Sequence, residues 1–363
     1  MDKTELLEAI QQNERFQHFS TPFVLGETEN EVKDAEFLLR RDGTIFNVEG
    51  WNHPTEFLVG EILYVPDEHG DKTIFGQTYR KVTLYKGTFE PVPYPERASI
   101  LRAIDPSFDQ HSNNPYFARY KQIFPASDFI AHLPSARAFK QAFISRGHET
   151  EKFHEDLENL MNLLGIHPED ISLGLTGAPS LGNLESYHDL DIVFSGSLEQ
   201  NLVIARKMKE IVLHEPKRRL FEGGKAWQIR FFNDNHTLMC TFFTYPDREL
   251  APLANFEMEI IEDNIAVEGT VSDDAHSMYT PTLLELTDAC VTRNGQFVER
   301  LTRIPLIVYH TASRGDCFNG DVIRANGALV TITKSNKESF LAICVIDREG
   351  LRNLTPPWEN YYL

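Results

Sequence analysis

The sequence predicts an α+β protein with a central mixed αβ core, a small antiparallel β domain before it and a small β-barrel-like domain after it. Three observations predict this. Residues 34–90 and 255–350 both break into short apolar or alternating runs separated by turn residues, the pattern of antiparallel sheets. Helix-period stretches cluster between these two blocks. Inside that middle region, residues 171–195 read as strand, glycine turn, short helical turn and second strand. The boundaries read as 1–95 for an N-terminal helix and small β domain, 96–165 for a helical connector, 166–252 for the core and 253–363 for the C-terminal domain.

Each part has its own local reason. Residues 1–10 form an acidic amphipathic helix pattern, followed by a polar linker to residue 30. The runs 37–39, 44–48, 57–59, 62–65 and 79–85 follow as strands, parted by turn signals at Asp42-Gly43, 52–54 and 68–71. The proline-rich stretch 90–95 ends this block. Residues 96–165 read as helical, interrupted at Pro125 and Pro134; the best segment is 151–164, with Phe153, Leu157, Leu160 and Leu164 at helical spacing. Ser197 is placed to cap a helix over 198–213, with Leu198, Leu202, Ala205 and Val212 as its apolar stripe and Pro216 as its stop. A hairpin follows, with strands 225–232 and 237–245 around the turn 233–236. In the last block, Gly320-Asp321 and Asn326-Gly327 read as hairpin turns. A closed or partly open barrel would hide so many strand edges.

Bulk composition bounds the function. The chain has 363 residues, 41% of them hydrophobic and 25% charged, ordinary for a globular protein of two or three domains. No apolar run is long enough to span a membrane, and the acidic N-terminus does not read as a signal peptide; the expectation is a cytoplasmic protein. The four cysteines, Cys240, Cys290, Cys317 and Cys344, show no zinc or disulfide spacing. A net charge of −19 repels polyphosphate at long range and argues against binding long duplex DNA. Residues 197–232 oppose this trend. Arg206, Lys207, Lys209, Lys217, Arg218, Arg219, Lys225 and Arg230 outnumber Glu199, Glu210, Glu215 and Glu222. That island is either a solvated face or a local phosphate-attracting wall.

The chemistry concentrates in 171–195. Side chains two apart on a strand share a face, so Asp189 and Asp191 point the same way while Leu190, Ile192 and Phe194 point into the core. Adjacent carboxylates repel unless a cation lies between them, and hard oxygen pairs suit Mg²⁺. An Asp-x-Asp can also merely cap a turn. Gly177 and Gly182 bracket the preceding loop and allow close backbone approach to a ligand. Together these form one constellation, with phosphate on one side and metal on the other.

At these residues the chain resembles the DNA polymerase β nucleotidyltransferase superfamily, whose motif is matched by Gly177, Gly182, Asp189 and Asp191. Segments 42–54, 63–70, 79–82, 271–281 and 320–327 resemble, more narrowly, the predicted nucleotidyltransferases common in archaea. The resemblance implies a nucleotidyltransferase-like core and Mg²⁺-dependent transfer of a nucleoside monophosphate from a nucleoside triphosphate to an acceptor hydroxyl. The acceptor is left unidentified, with RNA and a small molecule as the candidates. Asp189 and Asp191 would be catalytic and hold the metal; Gly177, Ser180, Gly182 and Lys225 would bind the nucleotide.

Three positions depart from the family pattern. Ala178 stands where a serine is expected, leaving Ser180 as the substitute hydroxyl, and His188 stands where serine often precedes the first aspartate. The strand expected to carry a third carboxylate, 238–243, has none; Asp234 lies in the turn before it and Asp247 beyond it. A catalytically degenerate nucleotide- or RNA-end-binding protein is therefore the alternative. Elsewhere, His53 and His69 read as turn or partly buried residues, Asp273, Asp274 and His276 as a barrel-rim loop or metal cluster, and Thr311–Asp316 as an exposed turn.

Overall fold

The computed structural model describes residues 2–27, 31–54, 56–82, 85–86, 90–91, 94–105, 116–119, 121–145, 147–185, 187–222, 224–253 and 256–359. Parts of the expected strand 79–85 and of the proline-rich stretch, and residues 106–115 of the expected connector, lie outside them. The chain is mixed α+β, as expected.

The N-terminal helices Lys3–Gln12 and Glu14–Phe19 lead into an antiparallel sheet. Its central strands are Phe37–Arg40, Ile45–Val48 and Phe57–Pro66, the last a single ten-residue strand where the sequence suggested two short runs. Strands Gln122–Pro125 and Phe129–Leu133 complete this sheet on Phe57–Pro66 and Phe37–Arg40. Both fall inside the segment expected to be helical. Their residues are mostly apolar and become buried through pairing with strands far back in the chain, Phe57 opposite Pro125 and Phe37 opposite Leu133, a long-range effect that local periodicity does not carry.

The core is a five-stranded sheet in the order Leu173–Leu175, Asp189–Phe194, Leu238–Phe243, Lys225–Phe232, Arg219–Glu222. The Asp189–Phe194 and Leu238–Phe243 pair is parallel, in the register Asp191 to Cys240; the other pairs are antiparallel. Leu190, Ile192 and Phe194 are fully buried. Behind them pack Phe153, Leu157, Leu160 and Leu164 of the helix His148–Leu164. The helix Leu198–His214 starts with the expected Ser197 cap, closed reciprocally by Gln200. Its buried stripe is Ile204, Met208, Ile211 and Val212, while Leu198 and Leu202 are only partly covered.

The C-terminal strands Phe256–His276, Thr282–Arg293, Gln296–Val308, Ser339–Val345 and Val322–Lys334 pair in a ring, because the first also pairs with the last. This is the barrel-like sheet the sequence suggested. Asn326-Gly327 is not its hairpin turn. Both residues lie inside Val322–Lys334, opposite Ala266 and Ile265. A side chain at Gly327 would collide with the Cys344 carbonyl, so this glycine serves strand approach. The hairpin turn is Asn294-Gly295. Among the described residues no helix is long and apolar enough to cross a membrane.

Candidate functional site

The three parts meet at a cleft of about 410 Å³. Its floor is one face of the core sheet, over the strands Asp189–Phe194, Leu238–Phe243 and Lys225–Phe232. Strand alternation sends Asp189 and Asp191 to the cleft face, and the parallel register brings Cys240 and Phe242 of the next strand to the same face. One wall is the N-terminal sheet, through Tyr64, Lys81, Glu49 and Glu61. The other is the segment Thr311–Arg314. Two bonds tie these parts together: Thr176 Oγ1 of the core donates to the Ala35 carbonyl of the N-terminal wall, and Arg314 joins the two walls by pairing with buried Asp34 at 3.2 Å.

Gly177 faces Asp191 directly. Its φ is +63°, and a Cβ built on it would run into Asp191 Oδ2. The glycine is thus required both by its backbone and by the carboxylate opposite. Asp191 is held by burial, with the neighbouring Asp189 second, at a pKa of about 7, against the pull of Arg230, Lys81 and Arg314. Tyr64 is pushed up to about 12 by burial and by the two aspartates. Carboxylates under such strain are what a divalent cation would relieve.

Cys240 lies opposite Asp191 on the strand expected to carry a third acid. Its Sγ lies 3.5 Å from Asp189 Oδ2, and ligand atoms of Asp189, Asp191 and Cys240 all fall within 4.8 Å of one another. Arg230 donates to the sulfur from Nε at 3.2 Å and Nη2 at 3.0 Å, stacks on Trp227 and pairs with Glu222 at 3.6 Å. The donor set fits one divalent ion on the two carboxylates, with the remaining positions left to substrate oxygens. A second hard ion would lack an oxygen ligand on the third strand.

The expected nucleotide-binding residues separate in space. Gly177 and Ala178 line the cleft. Ser180 is buried and its hydroxyl donates to the Gly177 carbonyl at 2.9 Å, so it braces the loop. Gly182 gives its carbonyl to Arg15 at 2.8 Å and lies along two neighbouring depressions. Lys225 is buried; its ammonium binds both carboxylate oxygens of Asp316, at 2.6 and 2.5 Å, and the Ala312 carbonyl. It therefore holds the wall segment rather than reaching into the cleft.

Most of the basic island is used in the same way. Arg206 pairs with Asp274, Lys209 with Asp321, and Arg218 with Glu215 and Asp234. Of the eight, Arg230 is the one that lines the cleft. The other cleft cations, Lys81 and Arg314, come from segment 79–82, noted only for its resemblance, and from Thr311–Asp316, expected to be an exposed turn. Thr311–Asp316 is a correction to the expected exposed turn: Ala312, Ser313 and Asp316 are buried, because polar residues here are satisfied by Lys225, Gln228 and Asn353.

The remaining candidates have ordinary partners. His53 accepts from the Val59 amide and is driven down to about 3 by burial and Arg248, and His69 is exposed. Asp274 binds Arg206 and the Asn319 amide, and His276 binds Tyr245. His188 is exposed beside the cleft strand.

Comparison of the chain with protein-family models, with curated proteins and with solved structures finds no match.

Proposed function

We propose that the cleft binds a nucleoside triphosphate and transfers its nucleoside monophosphate to an acceptor hydroxyl, with release of pyrophosphate. The observation that carries this reading is the convergence of Asp189, Asp191 and Gly177 with Lys81, Arg230 and Arg314, from three different parts of the chain, on one cleft. Its volume is in the range of small-ligand sites. A divalent cation on the two aspartates, Mg²⁺ in the pattern the sequence resembles, would supply charge neutralisation and orientation of the reacting oxygens.

The chain's own residues supply the rest. Gly177 makes room for the Asp191 carboxylate at the cleft. Arg230 and Arg314, held by Cys240, Glu222 and Asp34, place positive charge beside the aspartates, and Lys81 adds charge from the opposite wall. The enclosing walls limit water as a competing acceptor. A small-molecule hydroxyl or a single RNA end fits this scale.

A second reading, nucleotide binding without turnover, is favoured by one feature: Cys240 in place of a third carboxylate. Calorimetric titration with each nucleoside triphosphate, with and without Mg²⁺, tests both. Mg²⁺-dependent binding that disappears in Asp191→Ala supports the site. Absence of binding by all four triphosphates overturns it. Binding without pyrophosphate release across small hydroxyl and RNA acceptors selects the second reading.

A further inference from the structure

We infer that Asp189, Asp191 and Cys240 form a mixed carboxylate–thiolate site that prefers a borderline-soft divalent cation, such as Zn²⁺ or Co²⁺, to Mg²⁺. The inference rests on the reading of the two aspartates as cation ligands and names the ion they would share with sulfur.

Geometry leads the argument. Two ligands on a tetrahedral zinc, with a Zn–S bond of about 2.3 Å and a Zn–O bond of about 2.1 Å, are separated by roughly 3.6 Å. Cys240 Sγ and Asp189 Oδ2 are 3.5 Å apart. Asp191 brings its oxygen within 4.8 Å of both. The three come from adjacent strands in parallel register, so backbone pairing and not loop conformation sets their spacing. Gly177, lacking a Cβ, lets the Asp191 carboxylate pack directly against the loop, which fixes that ligand from the side away from the strand of Cys240. Three protein ligands facing an open cleft match the pattern of a zinc site with a free position for water or substrate.

The chemistry of the donors points the same way. Mg²⁺ takes oxygen ligands in an octahedron and gains nothing from a thiol, whereas thiolates select softer ions. Arg230 lies outside the three donors and directs two N–H groups at the sulfur; burial and Asp191 push the thiol up and keep it protonated in the metal-free site, so it is the metal that displaces the proton. On binding, the sulfur–metal bond forms as the thiol proton leaves to solvent, with no change of oxidation state.

Titration of the full chain with Co²⁺, without nucleotide, tests the site. The wild type is expected to develop a near-ultraviolet sulfur-to-cobalt charge-transfer band at one ion per chain. In Cys240→Ser the band should vanish and Co²⁺ and Zn²⁺ affinity fall by about tenfold or more, at least what loss of an outer-shell partner costs; Mg²⁺ affinity should be unchanged. Cys290, the one cysteine that is not buried, gives the control: Cys290→Ser should keep the band. Cys240→Ala, checked by its thermal midpoint, serves if the serine variant does not fold. No band in the wild type, or a band that survives loss of Cys240, overturns the inference. A band in a protein that binds no nucleotide upholds the metal site and removes the transferase reading. Asp191-dependent Mg²⁺–nucleotide binding without a band does the reverse.

Discussion

Lys225 and Asp316 form a buried ion pair between the core sheet and the segment that walls the cleft, with ammonium-to-carboxylate distances of 2.6 and 2.5 Å. The same ammonium binds the Ala312 carbonyl and lies 3.5 Å from the Trp227 ring centroid. Gln228 and Asn353 both donate to the Asp316 carbonyl. This knot places Arg314 against Asp34 and Phe242. The position of one of the cleft's cations thus depends on a lysine that lies outside the cleft.

Removing one partner of such a pair leaves the other charge buried and alone. Lys225→Met should cost about 3–5 kcal/mol of stability, read from urea unfolding. Replacing both, as Lys225→Met with Asp316→Leu, should recover much of that loss, because no unpaired charge remains. A single variant within about 1 kcal/mol of wild type would show the pair to be dispensable.

Asp191 yields a prediction in pH. Burial and Asp189 raise its folded pKa to about 7, above the ordinary unfolded value of about 3.9. Between these values the folded state holds a proton that the unfolded state has lost. Stability therefore falls as pH rises through this window and levels off above it. Asp191→Asn lacks this penalty, so its thermal midpoint should exceed that of wild type more at about pH 8 than at about pH 5. The same proton competes with a cation. Divalent-ion affinity of the wild type should rise about tenfold between about pH 6 and pH 8. A flat profile would contradict the shifted carboxyl.

Gly177 links backbone to chemistry. An L-side chain costs about 1–2 kcal/mol in its left-handed conformation, and here the added Cβ also pushes on Asp191. Gly177→Ala should lose that stability in thermal unfolding and at least tenfold in Mg²⁺-dependent nucleotide affinity. Equal affinity in a folded variant would show that Asp191 has room to move and that the glycine does not shape the site.

The parts of this design that were legible in the sequence are those with a local cause. Asp189 and Asp191 share a face because strands alternate, and the Ser197 cap follows from a hydroxyl before an apolar stripe. Cys240 was legible in principle. Alternation along Leu238–Phe243 puts it and Phe242 on one face, but only the parallel register, a tertiary fact, places that face beside Asp191. Lys81 and Arg314 lie in segments the sequence singled out, 79–82 for its resemblance and 311–316 as an exposed turn, but their place in the cleft follows from tertiary pairing, of Lys81 with Tyr64 and of Arg314 with Asp34. Lys225 misled for a related reason. Its position next to the motif suggested a phosphate contact, while its actual partner, Asp316, lies 91 residues away. Charge in sequence marks where a cation is, and packing decides what it neutralises.

Arg230 carries the last prediction. Its guanidinium touches Cys240 with two groups, lies 4.6 Å from the Trp227 ring centroid and pairs with Glu222 on the side away from the sulfur. A lysine keeps the charge but has one donor centre and no plane, so it cannot hold the sulfur and stack on the indole together. If Arg230 meets the phosphates, Arg230→Lys should lower nucleoside triphosphate affinity by roughly 10–100-fold, the loss of one charge-assisted contact of about 1.5–3 kcal/mol. Nucleoside affinity should barely change, because no phosphate is present to be held. Comparing the two ligands by calorimetry separates a phosphate contact from general loosening of the cleft: an equal loss for both would assign Arg230 to structure, and a loss confined to the triphosphate would assign it to the reacting end of the substrate.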